Sequence, residues 1–188
     1  MEIGIKELED IIKIGNNKLI LVSGRPAVGK THFGINIFNN IALKHDIPTL
    51  FFSFEASKEA IINNSNGGLY VDDTPNVPLE YIEEQCRKLK QKNNIKLVII
   101  DYVQLIKCKN VEIIGVKLRV LAEELGLTIL VLSQLAGTYK RPMLADLKES
   151  KAIADISDVV LFLYREGAGT TNKDTEIIVA KNEGGTNG

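Results

Sequence analysis

The apolar run Leu19-Ile20-Leu21-Val22-Ser23 leads directly into Gly24-Arg25-Pro26-Ala27-Val28-Gly29-Lys30-Thr31, and a helical apolar pattern through Phe33, Ile37, Ile41 and Leu43 follows. A buried strand, a glycine-rich turn and a helix in that order constrain the fold more than any other stretch. The pattern G-x-x-x-x-G-K-T in this setting is a phosphate-binding loop. Its glycines let backbone N–H groups turn toward phosphate oxygens, and the helix start adds partial positive charge. Lys30 is placed to reach the β- and γ-phosphates, and Thr31 to put its hydroxyl on Mg²⁺. All eight residues, Gly24 to Thr31, are therefore read as the ATP-binding loop.

The rest of the chain repeats the alternation. Residues 4–14 carry Ile5, Leu8, Ile11 and Ile12 at helical spacing. Pro48 breaks the helix that follows the phosphate loop, and residues 49–54 read as a second strand. Residues 63–68, Asn-Asn-Ser-Asn-Gly-Gly, form a loop before a short strand at 69–71. A helix marked by Leu79, Ile82, Cys86 and Leu89 precedes a doubly buried strand at 96–101. Another helix, marked by Ile113, Val116, Leu118, Leu121, Ala122 and Leu125, precedes a strand at 128–132, and two last strands fall at 159–164 and 176–180. Strands alternating with helices predict an α/β fold with a mainly parallel sheet, in which ligands sit at the carboxyl ends of the strands.

Composition narrows the function further. At 188 residues the chain is one domain by length, and its net charge of −1 offers no general basic field for nucleic acid, so any such contact must be local. No apolar run approaches a bilayer span, and the first residues lack the basic and apolar regions of a signal peptide, which predicts a cytoplasmic protein. Cys86 and Cys108 are far apart with no C-x-x-C pattern and are read as reduced. His32 and His45 are too isolated to suggest a metal site.

Three polar residues stand at predicted strand ends. Asp101 closes an apolar strand, where this class of nucleotide hydrolase holds the ligand sphere of Mg²⁺. Glu55 follows the second strand, where a carboxylate can orient and deprotonate an attacking water. Gln134 ends a third strand, where an amide can touch the γ-phosphate. Taken singly, each also fits an ordinary strand end.

The ordered series GRPAVGKT, FFSFEASKE, YVDDTP, KLVIIDYVQLI, VLSQLAG, KRPMLADLKES, SDVVLFLYRE and IIVAKNEGG resembles the motor domain of the hexameric DnaB-like replicative DNA helicases, from about Gly4 to the end. The resemblance implies a RecA-like P-loop core that binds ATP and Mg²⁺ at subunit interfaces. It implies Glu55 as catalytic base, Asp101 as the Mg²⁺-associated carboxylate and Gln134 as γ-phosphate sensor, working with Lys30. It further implies a homo-oligomeric ring coupling hydrolysis to movement along single-stranded DNA, with other replication proteins as partners. On this reading residues 1–188 form a single RecA-like ATPase domain, with no primase-contacting domain before it and no linker helix.

The series departs from the family at its last motif and in the length of three segments. The family's Lys-x-Arg pair, which reaches a neighbour's γ-phosphate, reads Lys181-Asn182-Glu183 here, so Lys181 is the trans-acting candidate and Glu183 stands at the arginine finger's position. A finger contributes roughly 10³–10⁵ in rate, so slow basal hydrolysis is expected, with Arg165 as an alternative cation. The segments at 60–68, 107–112 and 136–141 are also short for the family. The last holds Tyr139, Lys140 and Arg141, candidate contacts for a DNA phosphate and a stacked base, or an ordinary solvated turn. A nucleotide-dependent accessory or loader module that binds ATP without unwinding is the alternative function. A small-molecule kinase is disfavoured by the lack of a basic lid after Asp101.

Overall fold

The computed structural model describes residues 8, 17–61, 69–137, 140–166 and 174–183. Seven strands form one sheet in this region: β1 (Leu19–Gly24), β2 (Thr49–Ser53), β3 (Leu69–Asp72), β4 (Leu97–Asp101), β5 (Thr128–Gln134), β6 (Val159–Tyr164) and β7 (Glu176–Asn182). Their order across the sheet is β3-β2-β4-β5-β1-β6-β7. Every pairing is parallel except β6 with β7. The helices are α1 (Lys30–Asn39), α2 (Lys58–Ile61), α3 (Leu79–Asn93), α4 (Val111–Leu125) and α5 (Lys151–Ile156).

Apolar side chains occupy both faces of the sheet, so the central strands read as unbroken hydrophobic runs rather than alternating ones. Leu19, Leu21, Phe52, Val98, Ile100, Val131 and Phe162 pack with Ile82 and Cys86 of α3, Leu118 and Leu121 of α4 and Ile153 of α5. On the opposite face Ile20, Val22, Phe51, Ile99, Leu130 and Leu161 pack against Phe33, Ile37 and Phe38 of α1. Leu8 is buried on this second side. The rest of the helix expected at 4–14, and the loop at 63–68, lie outside the described residues.

Two expectations about helix faces need correction. Leu43 is 47% exposed, because α1 passes at Asn40–Lys44 into a π-helical turn, whose wider winding moves the later residues off the 3.6-residue period. On α4 the buried stripe is Ile114, Leu118, Leu121 and Ala122, while Ile113 and Val116 face outward. The Asn110 side chain fixes the start of that helix by accepting the Glu112 backbone N–H at 2.8 Å.

Candidate nucleotide site

The strand registers bring the site together before any side chain is considered. Gly24 stands opposite Gln134 across β1 and β5, and Ser53 stands opposite Asp101 across β2 and β4. Glu55 follows two residues beyond Ser53. The phosphate loop, Glu55, Asp101 and Gln134 thus share the carboxyl edge of the sheet. They line one cavity of about 470 Å³ with Pro26, Ala27, Gly29, Lys30, Thr31, His32 and Tyr102.

The loop's path depends on two glycines. A Cβ on Gly24 would stand 2.7 Å from Val28 Cγ1 and 3.1 Å from the Leu163 carbonyl oxygen, so the chain leaves β1 only where no side chain intervenes. Gly29 has φ of 103°, a conformation that costs other residues strain, and it sets the start of α1. Pro26 and Ala27 are exposed at the loop's tip, and Val28 is buried beneath it. Lys30 is buried, and its ammonium donates to the Arg25 carbonyl at 3.0 Å. Burial pushes Lys30 below the ordinary lysine range, against the pull of the Asp101 and Glu55 carboxylates.

Asp101 is 1% exposed, and neither of its carboxylate oxygens completes a hydrogen bond. Burial raises its carboxyl above the ordinary aspartate range. The Thr31 hydroxyl lies against it and opposes the rise without reaching hydrogen-bond geometry, Glu55 adds to the rise, and Lys30 opposes it. A buried carboxylate with no partner beside a lysine and a threonine hydroxyl fits a hydrated divalent cation, which supplies the missing charge. Among the described residues no cluster of three or more His, Cys, Asp or Glu side chains forms a metal cage. Glu55 is exposed in the same cavity, where water has access to it.

Other sequence candidates fall into different roles. Arg25 is buried and turns away from the cavity, donating from Nη1 to the Ala136 carbonyl. Arg165 lies just past β6, beside the phosphate loop of its own chain. Its Nη2 is 4.0 Å from where a Gly29 Cβ would stand and donates to Thr175 Oγ1 at 2.7 Å. It lines a second cavity of about 480 Å³ with Ala27, His32, Phe33 and Asn36, adjoining the first at Ala27, Gly29 and His32.

Lys181 stands elsewhere. Because β7 runs antiparallel, Lys181 pairs with Val160 near the start of β6, while Gly24 pairs with Leu163 near its end. Three residues of strand amount to roughly 10 Å, so Lys181 lies toward the opposite edge from its own phosphate loop. Its ammonium donates to the Asp155 and Ser157 carbonyls at 3.0 and 2.6 Å and pairs with Glu183 at 2.8 Å. Of the three loop candidates, Tyr139 is outside the described residues and Lys140 is exposed. Arg141 is engaged with Glu176 through two bonds of 2.6 Å, with its guanidinium carbon 5.9 Å from the Tyr164 ring centre.

Sequence reasoning passes over Gln104, whose side chain grips the end of β5. Its signal is its place three residues beyond Asp101 in DYVQLI, which is too common a position to stand out alone.

Comparison with known proteins gives the family and the fold. The model of the DnaB-like helicase C terminal domain matches residues 1–65 and 61–188. The replicative DNA helicase DnaC of Bacillus subtilis is 34% identical over 220 aligned positions, covering 90% of this chain and 48% of that protein. The replicative DNA helicase DnaB of Geobacillus stearothermophilus is 33% identical, covering 89% and 48%. The chain therefore spans about half the length of these curated relatives. The alignment with the first, at 220 positions, exceeds this chain's 188 residues, so the relative carries internal segments absent here. The family match also breaks at 61–65, inside the segment expected to be shortened. Among solved structures, an ATPase domain superposes with TM-score 0.88 and 26% identity over all of this chain and 85% of its own. A DnaB-like replicative helicase, solved in a study of its interactions with primase, superposes with TM-score 0.85 and 25% identity over all of this chain and 57% of its own. With its motif series, RecA-type sheet and a family-model match that runs along the chain in agreement, the chain belongs to the DnaB-like helicase C-terminal domain family.

Proposed function

We propose that this chain is the Mg-ATP-hydrolysing motor domain of a replicative-helicase type protein, and that residues 1–188 act as one RecA-like cytoplasmic unit. The single observation that carries the reading is the convergence of a phosphate loop, Glu55, unpartnered Asp101 and Gln134 on one cavity. Mg²⁺ would neutralise charge on the β- and γ-phosphates. Thr31 and Asp101 are the residues to hold it, directly or through water. Backbone N–H groups of Gly24 to Thr31 bind the phosphates, with the Lys30 ammonium on their β and γ oxygens. Glu55 accepts the proton of the attacking water, and Gln134 contacts the γ-phosphate or that water. Arg165 borders the cavity adjoining the phosphate site and serves the nucleotide of its own chain.

In a ring of identical chains, Lys181 would serve a neighbour's nucleotide, and Lys140 and Arg141 would contact single-stranded DNA locally. Hydrolysis by a lone chain is then slow. A second reading, a nucleotide-dependent accessory or loader that binds ATP without unwinding, draws on Lys181 being paired with Glu183 where the family has a finger arginine.

Calorimetry with Mg-ATP tests the core of the proposal. Wild type should bind and Lys30→Ala should lose at least roughly tenfold in affinity; equal binding by both would remove the phosphate-loop assignment. Forked-DNA unwinding separates the two readings, since robust unwinding by assembled chains excludes the accessory module.

A further inference from the structure

Strands β4 and β5 pair only as far as Ile100 with Val131 and β4 ends at Asp101, so Ser133 and Gln134 extend beyond their neighbour on that side. A strand end without a ladder partner leaves its backbone polar groups to be satisfied by something else. Gln104 fills that place. It sits in the 3₁₀ turn Val103–Leu105 after β4. Its Nε2 donates to the Gln134 carbonyl and to Ser133 Oγ, both at 3.0 Å, and its Oε1 accepts the Gln134 N–H at 3.2 Å. One carboxamide thus takes both backbone groups of Gln134, as one further rung of sheet would.

The other side of the same strand end is held by the phosphate loop. Gly24 is the register partner of Gln134, the Leu135 N–H donates to the Gly24 carbonyl at 3.0 Å, and Arg25 reaches the Ala136 carbonyl. Ser133 Oγ is tied in turn to Ser150 Oγ, both residues buried, at the point where a 3₁₀ run over Leu144–Ser150 meets α5. The Gln134 backbone is therefore clamped from both sides, and the residue lines the cavity with Lys30, Glu55 and Asp101.

We propose that Gln104 is a positioning residue for hydrolysis, which aims the Gln134 carboxamide by fixing the Gln134 backbone and touches no substrate itself. The inference rests on Gln134 acting at the γ-phosphate or the attacking water. Contacts that fix a group aligned only in the transition state change kcat more than binding.

The test compares wild type, Gln104→Met, Gln104→Ala, Gln134→Ala and the Gln104→Met/Gln134→Ala double variant. Methionine keeps the side chain's length without its hydrogen bonds, so it preserves packing if alanine unfolds the turn. In nucleotide-free protein, the Gln134 amide should exchange at least roughly tenfold faster in Gln104→Met than in wild type, with the Leu130 amide unchanged. With Mg-ATP, Gln104→Met should bind within about twofold of wild type and lose roughly tenfold in single-turnover rate. In the Gln134→Ala background the same substitution should change the rate by less than about twofold, because the group it positions is gone.

Independent, multiplying rate losses from the two substitutions would overturn the inference, as would an unchanged Gln134 amide. A full rate in Gln104→Met beside a slow Gln134→Ala would overturn the role of Gln104 alone. A full rate in Gln134→Ala would instead remove the sensor reading on which it rests.

Discussion

Arg141 and Glu176 meet as a two-bond fork, both bonds at 2.6 Å, on the exposed surface between the segment after β5 and the start of β7. The Glu176 carboxylate occupies the same donor pair that a phosphate would take. If Arg141 binds DNA, Glu176→Gln should tighten binding to a short single-stranded oligonucleotide severalfold at low salt, and Arg141→Ala should weaken it. The slope of log affinity against log salt should become shallower by about 0.7 in Arg141→Ala, the change expected when the protein neutralises one phosphate fewer on a single strand. Fluorescence anisotropy over a salt series reads both, and identical slopes would assign Arg141 to the fork alone.

Glu55 stands exposed at the carboxyl edge two residues past β2, opposite the phosphate loop. Glu55→Gln keeps its size and removes its basicity. Turnover should fall roughly 10²–10⁴-fold while Mg-ATP affinity stays within about threefold, measured by single-turnover hydrolysis and calorimetry. A retained rate would remove Glu55 from the proton-accepting role.

Burial drives the Asp101 carboxyl toward its neutral form. Its folded pKa lies above the ordinary 3.8, so the stability linked to its protonated form is complete below 3.8 and is lost as pH rises through the raised value. Asp101→Asn should therefore stabilise the nucleotide-free, Mg²⁺-free chain by about 1 kcal/mol or more near pH 7. That gain should shrink as pH is lowered toward 4, while the variant loses Mg²⁺-dependent hydrolysis. Thermal melts of both proteins across pH check the sign, and a variant less stable than wild type at pH 7 would contradict it.

Cys86 lies sealed between α3 and the sheet, and burial pushes its thiol from 9.0 up to about 12. A raised folded pKa contributes stability that is complete below 9.0 and is lost as pH climbs toward 12. The stability advantage of wild type over Cys86→Ala should then narrow between pH 9 and pH 11 in denaturant titrations. At pH 8 a thiol reagent should label Cys108 in the native chain and leave Cys86 untouched until unfolding.

The parts of this molecule that can be found in its sequence are those whose chemistry is written contiguously. The phosphate loop declares itself within eight residues, and Asp101, Glu55 and Gln134 each follow an apolar run that announces a strand end. Parallel pairing then gathers them, since parallel strands between helices all end on one edge. What stays hidden depends on geometry across the sheet. The reversal of β7 has no periodic signature, because Ile177, Ile178, Val179 and Ala180 read as an apolar run whichever way the strand points. Gln104 matters because β4 stops short of β5, a fact about two strand lengths rather than about any local pattern. Arg25 sits inside the motif yet turns toward Ala136, and no spacing rule says which way a guanidinium swings. Leu43 leaves the buried face its spacing predicts because one π turn shifts helical phase.

The backward course of β7 carries a kinetic meaning. It leaves Lys181 remote from its own phosphate loop, so a chain cannot bring that cation to the nucleotide it holds. If Lys181 assists hydrolysis, turnover per chain must climb with protein concentration rather than stay constant, and catalytically dead Lys30→Ala chains should raise the activity of dilute wild type by lending it their Lys181. Specific activity would then measure crowding as much as chemistry.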